Sequence, residues 1–495
     1  VKKKGIEQIK IKRFSKMFFR SNKIIFVLLL IISTITISNA KNDNFKVALT
    51  GKYPPFSMYD SHGNLAGFDV DVSKAIADKL DKKLILIATQ WDAILPGLLT
   101  GKYDVIIGSM AVTKERSKKV NFSDPYYESG AQLFIHKRSA NSIKSINDCT
   151  DKRIGVVLGE TFAQFLRNKH PGIERVTYKS TVDIFNDLDN GRISGFVSDK
   201  LLGMYQIKKS KRKFIPTGEL LFKEQMAIPV NKNNKILLQE VNKALSEMRE
   251  SGELQQLFDK WFSNNSVKQK QTSIKRITII KLFVKGFGLT LLVAFLSIII
   301  GFLLAVPGGL ILNNKKITGN KVIRAVNDLF RGTPVLIQLF FVYFGIGGLL
   351  SQKFGINLSA ITAAIFTLSI NAAAYMSEVV RSGLMSVPMG QKYAAKAIGF
   401  NKWQIFSLVI WPQAFRIALP PLMNSVVALI KDTALISVIT VPEIIRQAQS
   451  VISITFDPIK YYLIVALMFY LITFPLMKFS AILEKQIKEK GFGNA

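Results

Sequence analysis

Three kinds of residue are scarce in this chain: it has one cysteine, three histidines and only 34 acidic residues against 67 basic ones. A lone Cys149 excludes an intrachain disulfide. No cysteine lies near residue 40, so a lipid anchor behind an export signal is not expected there. His62, His136 and His170 have no metal-ligand spacing and no serine or cysteine partner, which argues against zinc chemistry and against a nucleophilic triad. No metal is expected. The phosphate-cradling pattern Gly-x-x-x-x-Gly-Lys-Ser/Thr is missing as well. Its nearest approach, "GLLTGKY" (Gly97–Tyr103), is one residue short and ends in tyrosine.

The shortage of acid leaves a formal charge of +33, divided as +8 in residues 1–40, +8 in 41–263 and +17 in 264–495. Nucleic-acid binding would cluster the excess on one soluble domain with aromatics interleaved. Here the largest excess edges the hydrophobic runs of the most apolar third, as in loops that face an anionic leaflet. Nucleic acid is therefore not an expected partner, and a lipid bilayer is.

Along the chain, a basic arm (1–23) precedes the apolar run "IIFVLLLIISTITI" and the small residues "SNA" (38–40). That is the layout of a secretory signal, with a cut expected after Ala40. An uncleaved signal anchor is the alternative, and both export residues 41–263. Those residues alternate apolar strands ("FKVAL", "KLILIAT", "DVIIGS") with amphipathic segments ("FDVDVSKAIADKL", "WDAILPGLLTGKY"). Such alternation implies a parallel sheet with crossovers. The cycle restarts near Arg153, so two similar lobes are expected, with ligand at the carboxyl ends of their strands. The lobes are placed at about 41–129 with 230–263, and at about 137–223, with "AQLFIHK" and "EQMAIPV" as crossing strands. Residues 264–280 read as a polar linker leading into the next domain.

Residues 281–495 carry five apolar spans, at about 286–312, 322–350, 356–380, 413–441 and 459–482. With the binding region outside, five crossings put the C-terminus in the cytoplasm. Lys315, Lys316, Lys321 and Arg324, then Lys392, Lys396 and Lys402, then Lys485, Lys488 and Lys490 fall inside, in accord with the positive-inside rule. Lys268, Lys270, Lys275, Arg276, Lys281 and Lys285 fall outside and fit only as an interfacial helix. The protein is thus expected to be a multi-pass protein of the inner (cytoplasmic) membrane.

The stretch "WDAILPGLLTGKYDVIIGSMAVTKERSKKVNFSDPYY" (Trp91–Tyr127) resembles polar amino-acid periplasmic binding proteins. So do "YPPF" (Tyr53–Phe56), "GFDVDV" (Gly67–Val72), "GETF" (Gly159–Phe162) and "FVSD" (Phe196–Asp199), in order along 44–262. The resemblance implies a two-lobed α/β binding-protein fold of type II. It implies that Arg116 holds an amino acid's α-carboxylate, helped by the backbone at Ser109 and Ala111 and by Thr161. Asp199, on the other lobe, would take the α-ammonium, and Tyr53 and Trp91 would sandwich the side chain. The chemistry agrees: a guanidinium grips a carboxylate with two parallel hydrogen bonds, and a buried aspartate offsets an ammonium. Members that take lysine or arginine often have an aspartate where Thr50 stands. That turns the expectation towards glutamine or another neutral polar residue without removing a cationic one.

"RGTPVLIQLFF" (Arg331–Phe341), "AAYMSEVVRSGL" (Ala373–Leu384) and "GQKYAAKAIGFNKWQIFSLVIWPQA" (Gly390–Ala414) resemble the permease subunit of polar amino-acid ATP-binding-cassette importers, an all-α polytopic membrane domain. By that resemblance the loop 384–413 couples to a separate ATPase through Tyr393, Ala394, Ala395, Gly399 and Pro412. Tyr393 stands in for the usual glutamate and Trp411 for a leucine. Lys431 and Asp432 lie within an apolar run and either face the substrate path or neutralise each other. Asn371 and Glu378 are weaker path candidates. The whole then reads as the receptor and permease of an uptake system for polar amino acids, not an enzyme. It carries no cofactor of its own; ATP and Mg would bind the ATPase partner. A twofold homodimer, or pairing with another permease, would complete the pore. The alternatives are a ligand sensor and a dehydratase- or cyclodeaminase-like enzyme on the same two-lobed fold.

Overall fold

The computed structural model describes residues 44–60, 62–178, 181–210, 212–262, 275–314, 319–455 and 457–489. The basic arm and signal, most of the linker, Lys268, Lys270, Lys315, Lys316 and Lys490 lie outside the described residues.

The exported half is built on two five-stranded sheets. In the first, β1 (Asn44–Leu49) runs parallel to β4 (Lys83–Ala88) and β5 (Val105–Ile106). The short strands β2 (Met58–Tyr59) and β3 (Leu65–Ala66) form a hairpin beside it. Strand β6 (Val120–Phe122) closes the edge, and the order is completed by β12 (Pro229–Asn231): β4-β1-β5-β12-β6. In the second sheet β7 (Tyr127–His136), β8 (Arg153–Val157), β9 (Glu174–Tyr178), β10 (Gly195–Asp199) and β11 (Phe214–Met226) take the order β11-β7-β10-β8-β9. The expected parallel sheet is corrected to a mixed one. β12 lies antiparallel to β5 and β6, and β7 antiparallel to β10 and β11. The reason is that the chain crosses between lobes twice, after β6 and after β11. The strand that enters lobe 2 and the one that returns from it must run against their neighbours.

Each sheet is buried by its own apolar set. In lobe 1 Phe45, Val47, Val105 and Ile107 face the helices Phe68–Lys79 and Lys235–Glu250. In lobe 2 Phe134, Phe185, Phe196 and Phe214 form an aromatic cluster, with Phe134 and Phe196 stacked at 5.0 Å between ring centroids. Full burial of each such ring is worth about 1.5–3 kcal/mol. The helix Phe68–Lys79 starts at Gly67, whose φ of 136° and close approach to the Phe56 carbonyl leave no room for a Cβ.

In the second half, four described helices are long and apolar enough to cross a membrane: Arg276–Asn313, Ala360–Met385, Lys402–Ile439 and Pro458–Ile487. The fifth expected span, 322–350, is not one helix but a pair, Asn320–Gly332 and Val335–Ser351, bent by 108°. Pro334 causes the break. It has no N–H to donate and disfavours helical geometry at Thr333, which is extended (φ −118°, ψ 144°). The carbonyls freed at the break are satisfied from nearby: the Gln338 amide donates to Phe330 O at 2.7 Å and to Thr333 O at 2.9 Å. The basic residues Arg276, Lys281 and Lys285 sit on the opening turns of the first span rather than on a separate interfacial helix. That helix packs closely on Ala360–Met385 through small residues. A Cβ on Gly309 would lie 2.6 Å from Val380.

Candidate ligand-binding site

Arg116 sits on a single helical turn, Lys114–Ser117, opened by the Thr113 hydroxyl, which accepts from Arg116 N at 3.2 Å. Its guanidinium turns back over the domain. Nη1 donates to Ala111 O at 2.8 Å, and Nη2 reaches the other lobe, donating to Gly159 O at 3.2 Å. The guanidinium carbon lies 5.6 Å from the Trp91 ring centre. Arg116 thus clasps the two lobes at the mouth of a cavity. Among that cavity's lining residues are Thr50, Lys52, Tyr53, Gln90, Trp91, Ser109, Ala111, Glu160, Thr161 and Glu224.

The structure brings Thr50, Tyr53, Trp91, Ser109, Ala111, Arg116 and Thr161 together on this wall. Two of them are engaged differently from the expectation. Ser109, held at φ 56°, gives its N–H to the Tyr126 hydroxyl at 2.9 Å and its own hydroxyl to Asp69 at 2.9 Å. Its backbone donor therefore serves a buried Asp69–Tyr126–Ser109 network. Burial pushes the Asp69 carboxyl up to about 7 despite those donors. Thr161 donates its hydroxyl to Glu224. Asp199 does not line the cavity: it is fully buried behind it and accepts from Leu202 N at 3.0 Å, capping the helix Lys200–Ser210. Burial raises its carboxyl to about 6, against the pull of the Ser129 hydroxyl and the Leu202 and Leu201 amides.

Four polar residues of the wall, Glu160, Glu224, Lys52 and Gln90, escaped the sequence reading. Glu160 stands beside Arg116, with Oε2 buried and without a hydrogen-bond partner. Burial, then Glu224 and Asp199, lift its carboxyl to about 8, against the pull of Arg116. Glu224 is raised chiefly by burial, against the Thr161 hydrogen bond and Arg116. Lys52 donates to Gln90 Oε1 at 3.3 Å, and burial and Arg446 hold its ammonium well below the usual lysine range. Both glutamates stand in recognisable motifs, "GETF" and "EQMAIPV". In an acid-poor chain, an acid at a strand end was the available signal.

In the membrane half, Asn371 spends its amide on the broken helix, donating to Phe330 O at 3.2 Å and Gln338 Oε1 at 3.0 Å. Glu378 pairs with Arg381 one turn on. Lys431 is exposed and Asp432 half-buried at the end of the helix Trp411–Asp432. The loop 384–413 folds as the helix Met389–Ala397, a turn at Gly399 (φ 88°) and the short helix Lys402–Gln404. Tyr393 and Trp403 are exposed on it, whereas Ala395 is buried.

A charged cleft between two lobes, continuous with a polytopic helical domain, defines a solute receptor joined to a membrane permease. The chain belongs to two families at once: residues 45–264 match the bacterial extracellular solute-binding proteins, family 3, and residues 297–489 the binding-protein-dependent transport system inner membrane component. The "L-cystine-binding protein TcyJ" of Escherichia coli K12 is 35% identical over 222 residues, 45% of this chain and 84% of its own length. The "ABC transporter arginine-binding protein 1" of the same strain is 33% identical over 244 residues, 48% and 98% of the two chains. On the membrane side, the "Probable amino-acid ABC transporter permease protein YckA" of Bacillus subtilis 168 is 38% identical over 207 residues, 41% and 88%. The protein is therefore the fused binding and permease component of an amino-acid importer of the ATP-binding-cassette class. It is not an enzyme, and in such systems the ATPase is separate.

Proposed function

We propose that the receptor half captures an amino acid with a second cationic group and delivers it to the permease half. The observation that carries this is the charge around the cavity. Arg116 is there for the α-carboxylate, and three carboxylates gather near it: Glu160 and Glu224 on the wall and Asp199 behind. An α-ammonium answers one of these acids. A side-chain guanidinium or ammonium answers the surplus and favours the ionised form of these raised carboxyls. Thr50 does not stand against this, because the acids come from Glu160 and Glu224 rather than from its position. A relative named for arginine fits the same chemistry.

In this reading a separate ATPase binds ATP and Mg and docks on the loop 384–413, whose exposed Met389, Tyr393, Ile398 and Trp403 offer it an apolar face. Two copies of the permease half pair about a twofold axis, and the C-terminus lies in the cytoplasm. The test is calorimetry of the full chain in lipid nanodiscs against the twenty amino acids and cystine. Arginine or lysine should give the strongest heats. Glutamine or cystine binding tighter than both would overturn the charge argument, and no heat from any amino acid would overturn the function.

A further inference from the structure

A short helix, Ile444–Thr455, lies between the last two spans and is almost wholly buried. Glu443, fully buried, caps it, accepting from Ile445 N at 2.9 Å and Arg446 N at 2.8 Å. It rests on the first span, where Gly286 leaves room for Ile444 and Gln447, and on Tyr59 of the receptor half. Two of its side chains leave the permease. Arg446 Nη2 donates to Thr50 O and Thr89 O, each at 3.2 Å. These carbonyls directly follow β1 and β4, at the carboxyl ends of strands where a ligand sits in α/β lobes. Gln449, one turn on, offers Oε1 to Lys52 Nζ and to Gln90 Nε2 at 3.2 Å, while its side chain also meets the Tyr462 hydroxyl. Thr50, Lys52 and Gln90 all line the ligand cavity.

We infer that Gln449 of the permease half is an affinity-determining residue of the receptor's ligand site, acting by holding the Lys52 ammonium at the permease. The inference rests on the proposal of a cationic ligand. Lys52 lines the same cavity as Glu160 and Glu224, and its ammonium is held at Gln449 and Gln90. Held by Gln449, it leaves those carboxylates to the ligand. Released, its long stem can carry the ammonium to them, where it competes with the ligand's cationic end. Arg446 is the anchor that keeps the β1 and β4 ends in place while this exchange occurs. The permease then reads and sets receptor affinity through one amide, with no contact to the ligand itself.

The test is a double-mutant cycle on L-arginine affinity, measured by calorimetry with the full chain in nanodiscs. Gln449→Leu should weaken binding about three- to tenfold in the wild-type background, and by less than about twofold in a Lys52→Met background, as coupled neighbours require. Gln449→Glu, which holds Lys52 by charge, should keep wild-type affinity and serves if the leucine variant does not fold. An equal loss in both backgrounds, or a loss with Gln449→Glu, overturns the inference. Should L-arginine fail to bind the wild-type chain, the reading of the ligand falls first. Hydrogen exchange then decides for Gln449: backbone amides of Thr50–Tyr53 and Thr89–Trp91 should exchange faster in Gln449→Leu, and unchanged rates overturn its role.

Discussion

Glu160 should make the ligand site sensitive to pH, and the direction comes from its surroundings. Its carboxyl is lifted to about 8 by burial and by Glu224 and Asp199, against the pull of Arg116. Below that pH the group holds a proton, and a protonated carboxyl gives a cationic ligand no charge to pair with. Affinity for L-arginine should therefore rise with pH. With a pKa of about 8 the ionised fraction goes from about 1% at pH 6 to about half at pH 8, so affinity can gain up to about fiftyfold, or ~2.3 kcal/mol. The side-chain guanidinium stays charged throughout, so the proton counted belongs to the protein. Calorimetry of the full chain at pH 6, 7 and 8, in buffers of differing ionisation heat, measures both the affinity and the proton released. Glu160→Gln should bind more weakly at pH 8 and lose the slope. For folding without ligand the sign is opposite. The native chain keeps this proton between about 4.5 and about 8 while the unfolded chain has lost it, so stability falls as pH rises through that window. Asp69, raised to about 7, adds a loss of the same sign. Affinity that is flat within about threefold from pH 6 to 8, or a slope that survives Glu160→Gln, would refute the reasoning.

Arg116→Lys keeps the charge but loses the fork that spans Ala111 O and Gly159 O. It should cost about 2–4 kcal/mol of ligand binding, which calorimetry reads as a Kd raised about thirtyfold to a thousandfold. Gln338→Leu leaves Phe330 O and Thr333 O without their amide donor at the helix break. The full chain should lose about 1–3 kcal/mol, seen as an earlier unfolding midpoint in detergent with arginine affinity retained. Gly309→Val places a Cβ 2.6 Å from Val380 and should force the first and third spans apart, reducing the yield of monodisperse protein.

What the sequence discloses about the site depends on whether a residue's partner is near in the chain. Arg116, Trp91 and Tyr53 were legible because ordered motifs place them, and the structure sets all three on one cavity wall. Asp199 was legible as an acid at a strand end, but it also caps a helix, and nothing local says how far behind the wall it sits. Glu160 and Glu224 were passed over because a single acid in a polar turn is ordinarily solvated. The two stand 64 positions apart on the same lobe, and only its fold and the facing Arg116 of lobe 1 bring them together and bury them. The break at Thr333–Pro334 was open to the rule on residues before proline, yet hydropathy alone reads one continuous span. The helix Ile444–Thr455 had no apolar run to announce it. Nothing local marks Glu443, Arg446 and Gln447 as buried, since a carbonyl that accepts from Arg446 is 396 residues away.

The fusion bears on how strong the contact between the halves has to be. Docking trades water around Arg446 for the Thr50 and Thr89 carbonyls, and the water around Lys102 for the Leu358 carbonyl at 3.1 Å and the Tyr343 ring at 4.5 Å. Exchanges of this kind net only about 0.5–1.5 kcal/mol each, so a handful of them lies around or below the ~8 kcal/mol that micromolar affinity between separate proteins demands. A covalent tether removes that demand, because joining two modules on one chain raises their effective concentration to about the millimolar range. A contact weak enough to reverse in every transport cycle is then still made about half the time. Cutting the chain at a protease site placed between residues 264 and 274 tests this directly. At micromolar protein in proteoliposomes, docking should fall about a thousandfold and uptake with it, while ligand still binds the released half. Uptake that persists after complete cleavage would mean that the two halves hold each other without the tether, and the argument for weak docking would fail.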